Sequence, residues 1–126
     1  MQRFAIVVAG IAGAVSLGAA AALRHLLHDN AQAMEWGATA TRLGLLHAAA
    51  LLGLAALMRD GAVIGVAPMR VALWCFAAGL LLFCGSLWLL AFGAPHRVAG
   101  VTPVGGTLLI VGWAALAIGA MARRPG

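Results

Sequence analysis

Four long apolar stretches divide the chain. They run through residues 4–27, 39–58, 71–92 and 103–121. A helix needs about 20 apolar residues to cross a hydrocarbon core of about 30 Å, and each stretch is close to that length. The stretches are continuously apolar, without the alternation typical of membrane barrel strands. The pattern predicts an all-α membrane protein, a four-helix transmembrane bundle in a single domain over residues 1–126.

The connectors between the stretches hold most of the polar residues. Asp29 or Asn30 is suited to cap a short helix that begins near Ala31 and continues into the second span. Pro68 fits the first turn of the third helix. Residues 93–103 contain two glycines and two prolines, so we predict a short non-helical link there.

Composition narrows the class of protein. Hydrophobic residues make up 64% of the chain and charged residues 9%, whereas soluble domains carry about 25% charged residues. Such a chain cannot cover a surface that faces water, which excludes a soluble protein, a disordered segment and a nucleic-acid-binding module. The formal net charge of +5 therefore indicates topology and contact with anionic lipid.

The arginines predict an orientation. Four spans put both termini on one side of the membrane, and that side carries five arginines against three on the other. Because Lys and Arg concentrate in cytoplasmic loops, we predict a multi-pass protein of the plasma membrane (the bacterial inner membrane) with both termini in the cytoplasm. The five are Arg3, Arg59, Arg70, Arg123 and Arg124, and the three are Arg24, Arg42 and Arg97.

Small residues recur on single faces of the first, third and fourth spans. Lipid tails are as apolar as leucine, so helices in a membrane associate through close packing. We predict that these faces pack within one chain as a left-handed bundle with crossing angles of about 20°, and a homo-oligomer interface is the alternative. The glycines predicted to make helix contacts are Gly13, Gly79, Gly85, Gly105, Gly106, Gly112 and Gly119.

The two cysteines belong to one span. Cys75 and Cys84 lie nine residues apart, which is about 13 Å along a helix. That separation exceeds the reach of a disulfide. We interpret both as apolar packing residues.

His47 is the most unusual residue, because it lies near the middle of the second span. An ionisable group at bilayer depth is a functional candidate by default. Arg42 and Ser86 complete a candidate intramembrane polar site. The structural alternative is a neutral imidazole bonded to Ser86, to Thr107 or to a backbone carbonyl, beside an arginine that reaches the headgroups or pairs with Glu35.

Cofactor chemistry has little support in the sequence. A haem held by two histidines needs both at similar depth, and His47 alone is central. The polar connectors match no specific zinc signature, and no hydrolase or nucleotide-binding motif is present. We expect no cofactor, no metal and no catalysis. The residues that a metal would have to recruit are His25, His28, Asp29, Glu35 and His96.

Three blocks of sequence together indicate a family. They are residues 39–47 (TATRLGLLH), 83–90 (FCGSLWLL) and 101–106 (VTPVGG), the last followed by Gly112-Trp113. They resemble the small membrane family called domain of unknown function 423, whose eukaryotic branch includes transmembrane protein 256. The resemblance spans essentially the whole chain and implies the same four-span layout and no reaction. The residues of this chain that match the family's blocks by position are Arg42, His47, Gly85, Ser86, Thr102, Pro103, Gly105, Gly106 and Trp113.

The chain departs from that family at several positions. The family's first helix commonly ends in G-A-F-G-A-H, and here residues 18–23 read GAAAAL. Leu43, Leu46 and Trp88 stand where relatives have tyrosines. Any polar network that this histidine and these tyrosines build in relatives therefore has fewer members in this chain.

Two functions from different classes follow. The first is an accessory or assembly subunit without catalysis, whose partners are membrane lipids and another membrane protein or complex. The second is a carrier for a small molecule, an ion or a lipid, with Arg42 and His47 along its path. A haem carrier or enzyme ranks third.

Overall fold

The computed structural model describes residues 1–60 and 65–122 as four long α-helices and one short 3-10 helix. All four α-helices are long and apolar enough to cross a membrane. Helices are expected there because lipid offers no hydrogen-bond partner to backbone groups. The predicted all-α, four-span architecture is confirmed. The helices are α1 (Gln2–Leu26), α2 (Ala31–Asp60), α3 (Val66–Ala91), the 3-10 helix (His96–Gly100) and α4 (Thr102–Ala122).

The predicted cap at Asn30 is present. The Asn30 side-chain oxygen accepts a hydrogen bond from the Ala33 backbone N–H at 3.0 Å, so α2 begins eight residues before the predicted span. Its 30 residues correspond to about 45 Å, which exceeds the hydrocarbon thickness. One end of α2 therefore extends beyond the lipid core. Arg123 and Arg124, which enter the predicted orientation, lie outside the described residues.

The prediction of a non-helical link at 93–103 is wrong. Gly93 closes α3 with a left-handed backbone (φ +96°), and the Ala94 N–H donates to the Leu89 carbonyl at 2.9 Å, a common helix ending. The chain then enters the 3-10 helix, where the Val98 N–H donates to the Pro95 carbonyl at 3.0 Å. Proline starts this helix well because its missing N–H needs no partner.

The third helix is the centre of the bundle. In the most apolar stretch of α3 half of the residues are buried inside the protein, against 17% in α1 and 22% in the span that contains α4. Along the described chain α1 packs on α2, α2 on α3 and α3 on α4, while α1 and α3 touch only slightly. The backbones of α2 and α4 do not approach each other. The outer faces of α1 and α4 are therefore the main lipid-facing surfaces.

Candidate functional site

His47 lies in the core, at the centre of a cluster of aromatic rings. Its side chain is 3% exposed. The imidazole meets Phe76 of α3 edge-on, with ring centroids 5.4 Å apart. Trp113 of α4 completes the group at 6.0 Å from His47 and 5.2 Å from Phe76. Three helices thus meet at this cluster.

Both ring nitrogens of His47 have hydrogen-bond partners. Nδ1 lies 2.8 Å from the Leu43 carbonyl oxygen, one turn earlier in α2. Trp113 donates its Nε1–H to His47 Nε2 at 3.1 Å. A carbonyl can only accept and an indole N–H can only donate, so these partners assign the hydrogen to Nδ1 and leave Nε2 as the acceptor. The arrangement selects the neutral imidazole and links α2 to α4.

Of the three predicted partners of His47, the structure shows the backbone carbonyl and not Ser86 or Thr107. Ser86 donates to the Phe83 carbonyl at 2.9 Å and shares a 2.6 Å hydrogen bond with the Thr102 hydroxyl. Thr107 donates to the Pro103 carbonyl at 2.9 Å. The Ser86 bond ties the end of α3 to the start of α4.

Arg42 lies in a groove whose lining includes neither His47 nor Ser86. It is exposed and lines a groove of about 270 Å³ between α1 and α2, together with Arg24. The predicted pairing with Glu35 is not observed among the described residues, where the contact between a basic side chain and a carboxylate is that of His28 with Asp29 at 3.2 Å. The structure therefore does not assemble Arg42, His47 and Ser86 into one site.

The interfacial histidines do not form a metal site within the described residues. Residues 1–60 and 65–122 bring no three His, Cys, Asp or Glu side chains together with suitable geometry. Cys75 and Cys84 are both free thiols, as their separation predicts.

The predicted glycine contacts are largely confirmed in α3 and α4. A Cβ on Gly79 would lie 2.6 Å from the Leu109 side chain, one on Gly112 2.6 Å from the Phe76 ring, and one on Gly106 3.4 Å from the Phe83 ring. Gly105 lies against the backbone of α3 at Phe83. Gly119 is buried.

The same prediction is wrong for Gly13 and Gly85, where a Cβ would meet nothing within 4 Å. It also misses two glycines of α2. A Cβ on Gly37 would collide with the Leu23 side chain, and one on Gly44 with the Ser16 hydroxyl. These two glycines are seven residues apart, the spacing that singles out the glycines of α4.

A second groove opens on the other side of the α1–α2 contact. It has a volume of about 300 Å³ and is almost wholly apolar. Trp88 lies at one end, 7% exposed, and its buried indole N–H has no hydrogen-bond partner among the described residues. We call this the apolar groove. Its small lining residues are Ala12, Ser16, Gly44, Ala77 and Gly85, and its large ones are Val8, Ile11, Val15, Leu80, Leu81, Cys84 and Trp88.

Four apolar helices around a hydrogen-bonded histidine–tryptophan pair define a small multi-pass membrane protein. The profile of the family described as "Protein of unknown function (DUF423)" matches residues 17–106. The chain belongs to this family, as the sequence blocks predict.

Several relatives extend the match over most of the chain. A "UPF0382 membrane protein" of Haemophilus influenzae is 38% identical over 113 residues, 87% of this chain and 86% of the relative. The "UPF0382 inner membrane protein YgdD" of Escherichia coli K12 is 33% identical over 128 residues, 95% and 91% of the two chains. A shorter match joins 36% of this chain to 38% of a Staphylococcus saprophyticus membrane protein at 44% identity. No solved structure matches the chain significantly.

Proposed function

We propose that the chain is a non-catalytic accessory or assembly subunit of a larger membrane complex. The observation that carries the proposal is the apolar groove, which α1, α2 and α3 line together and which opens to the outside of the bundle. Its wall is almost wholly apolar, and the chain itself leaves it unfilled. An apolar segment of another membrane protein would fill it.

The shape of the apolar groove suits a helix. Small residues of three helices line it, and larger side chains such as Ile11 and Leu81 flank them. Membrane helices associate most closely where small residues let backbones approach. The groove thus offers the geometry of a helix contact that the chain itself leaves open.

The polar core supports a structural role as well. A general base or a proton relay needs a nitrogen that is free to exchange protons with a substrate. Both nitrogens of His47 are bound inside the protein, and neither groove described above includes His47 in its lining. Neither the family description nor the names of the relatives indicate catalysis.

The carrier alternative requires Arg42 and His47 along one path. Their separate surroundings give it less support than the subunit function. It predicts a transport activity that His47→Leu abolishes, whereas the subunit function predicts an unchanged set of bound proteins in that variant.

A matched pair of glycine variants tests the proposal. Gly85 lines the apolar groove and Gly53 does not, yet a Cβ on either meets nothing within 4 Å. Gly85→Leu should fill the groove without disturbing the chain's own packing, and Gly53→Leu should be silent. The measurement is purification of the tagged chain from its native membrane in mild detergent, followed by quantitative mass spectrometry.

We expect one stoichiometric membrane protein with the wild type and with Gly53→Leu, and a loss of at least tenfold with Gly85→Leu. Equal recovery of that protein with Gly85→Leu would rule out the groove as its binding site. A chain that purifies alone in all three forms would contradict the subunit function.

We further propose an inner-membrane location with both termini in the cytoplasm. The relative in Escherichia coli carries "inner membrane" in its name, and the arginine asymmetry supports the orientation. A carboxyl-terminal reporter that is active only in the cytoplasm should be active. Activity of a periplasm-specific reporter at that position would reverse the orientation.

A further inference from the structure

The groove that holds Arg42, which we call the arginine groove, has a lining unlike that of the apolar groove. Two arginines from different helices share it, Arg24 from the last turn of α1 and Arg42 from α2. The rest of its wall is short or apolar. The other lining residues are Ala20, Leu23, Met34, Gly37, Ala38 and Thr41.

The two arginines start from different depths. Gly37 packs against Leu23 and Gly44 against Ser16, so α1 and α2 run antiparallel with level residue pairs whose numbers sum to about 60. Arg42 is therefore level with Gly18, six residues or about 9 Å deeper in the membrane than Arg24. The Arg42 stem can cover most of this distance when its guanidinium reaches toward the interface. This explains how both side chains line one groove.

The charge in the arginine groove is not balanced by the described residues. No carboxylate is among its lining residues, and within the described chain the contact of a carboxylate with a basic side chain lies elsewhere, between His28 and Asp29. The Thr41 hydroxyl donates to the Gly37 carbonyl at 2.7 Å, so its oxygen can accept a hydrogen bond but carries no charge to offset the arginines. Two guanidinium groups at the edge of the lipid core thus have no anionic partner among the described residues that line the groove, although a cation at such depth strongly favours one.

We propose that the arginine groove binds the phosphodiester headgroup of an anionic membrane lipid. Guanidinium matches phosphate oxygens in geometry and binds them with paired, charge-assisted hydrogen bonds. The apolar part of the wall, Leu23, Met34 and Ala38, gives the attached glycerol and acyl carbons a surface that a free inorganic anion would not use. The site is independent of the protein partner proposed above, because it lies on the opposite side of the α1–α2 contact from the apolar groove.

The test compares lipids with the same acyl chains. The full chain is purified in a neutral detergent, and native mass spectrometry measures the binding of dioleoyl phosphatidylglycerol, dioleoyl phosphatidylcholine and inorganic phosphate. We expect one phosphatidylglycerol per chain, at least tenfold tighter than phosphatidylcholine. Arg24→Gln and Arg42→Gln should each weaken phosphatidylglycerol binding about tenfold or more, since each removes a charge-assisted contact.

Arg97→Gln is the matched control. Arg97 is exposed, lies in the connector on the same side as Arg24 and does not line the arginine groove, so this variant changes the net charge equally and should bind like wild type. An equal loss with Arg97→Gln would mean diffuse attraction and would overturn the site. So would equal binding of the two lipids. Competition by inorganic phosphate at the lipid's own concentration would overturn the assignment to a lipid. Melting curves without added lipid confirm that each variant is folded.

Discussion

The contacts of α3 with α4 and of α1 with α2 both depend on glycine, but only the contact of α3 with α4 presses a glycine mainly against the backbone of the facing helix. Between α3 and α4, Gly105 lies against backbone atoms of Phe83, with a Cβ position 2.8 Å from the Phe83 Cα. Between α1 and α2, Gly37 and Gly44 receive the ends of the Leu23 and Ser16 side chains. The same residue type therefore supports a backbone contact in one place and a side-chain contact in the other.

The difference predicts how each contact responds to an added methyl group. A side chain can rotate to another staggered conformation at small energetic cost. A helix backbone can yield only by moving the whole helix, which separates packed surfaces along its length. The contact of α3 with α4 should thus be intolerant of a methyl group at Gly105, whereas the contact of α1 with α2 should adapt to one at Gly37 or Gly44.

The largest effect is expected for Gly105→Ala. The new methyl group would overlap the backbone of Phe83, so α4 must move away from α3. This movement should lower the free energy of unfolding by about 3 kcal/mol. Gly106→Ala is the neighbouring control, because its Cβ would lie 3.4 Å from the movable Phe83 ring and should lose less than about 1 kcal/mol. Thermal unfolding in one detergent measures both. Equal melting temperatures would refute the backbone contact.

Next in size is Gly112→Leu, which should destabilise the protein more than Leu109→Ala. A Cβ on Gly112 would lie 2.6 Å from the fully buried Phe76 ring and 3.3 Å from the Cys75 Cβ. Leu109→Ala would leave only a cavity where a side chain that is 5% exposed now packs, and should lower the free energy of unfolding by about 2 kcal/mol. The two melting temperatures decide the order. A more stable Gly112→Leu would show that α4 can retreat from Phe76 easily.

The sequence predicts the class and the packing of α3 and α4 because lipid simplifies the problem. Apolar length determines the spans, and the spacing of Gly105 and Gly112 identifies the contact face. The α1–α2 contact is harder to find, since Ser16 and Leu23 are of unlike size and only the structure pairs them with Gly44 and Gly37.

The polar network was less predictable. His47 is visible as an intramembrane ionisable residue, but its partner Trp113 is 66 residues away in sequence. Ser86 is one of the predicted partners of His47, but helix register places its hydroxyl against Thr102. The register of α4 against α3 depends on the connector between them. That connector contains a 3-10 helix, which its prolines and glycines do not predict.

Gly44→Ala should have a smaller effect and lower the free energy of unfolding by about 1 kcal/mol. A second substitution, Ser16→Ala, should restore the lost stability. The added methyl would meet the Ser16 hydroxyl, and Ser16→Ala removes that oxygen. The double variant should be at least as stable as wild type, because alanine is favoured over glycine in a helix by about 1 kcal/mol. Phe83→Ala should give no such rescue to Gly105→Ala, since the opposing atoms there are backbone. Failure of the Ser16 rescue would remove the distinction between the two contacts.

The smallest effect concerns the hydrogen bond that joins α2 to α4 where their backbones do not meet. Trp113→Phe keeps an aromatic ring against Phe76 but removes the donor to His47 Nε2. Hydrogen bonds between membrane helices average about 0.6 kcal/mol in double-mutant cycles. A cycle of Trp113→Phe and His47→Leu should therefore give a coupling near that value in the free energy of unfolding. A coupling of zero would mean that glycine packing against α3 alone positions α4, and that the buried histidine contributes nothing to its placement.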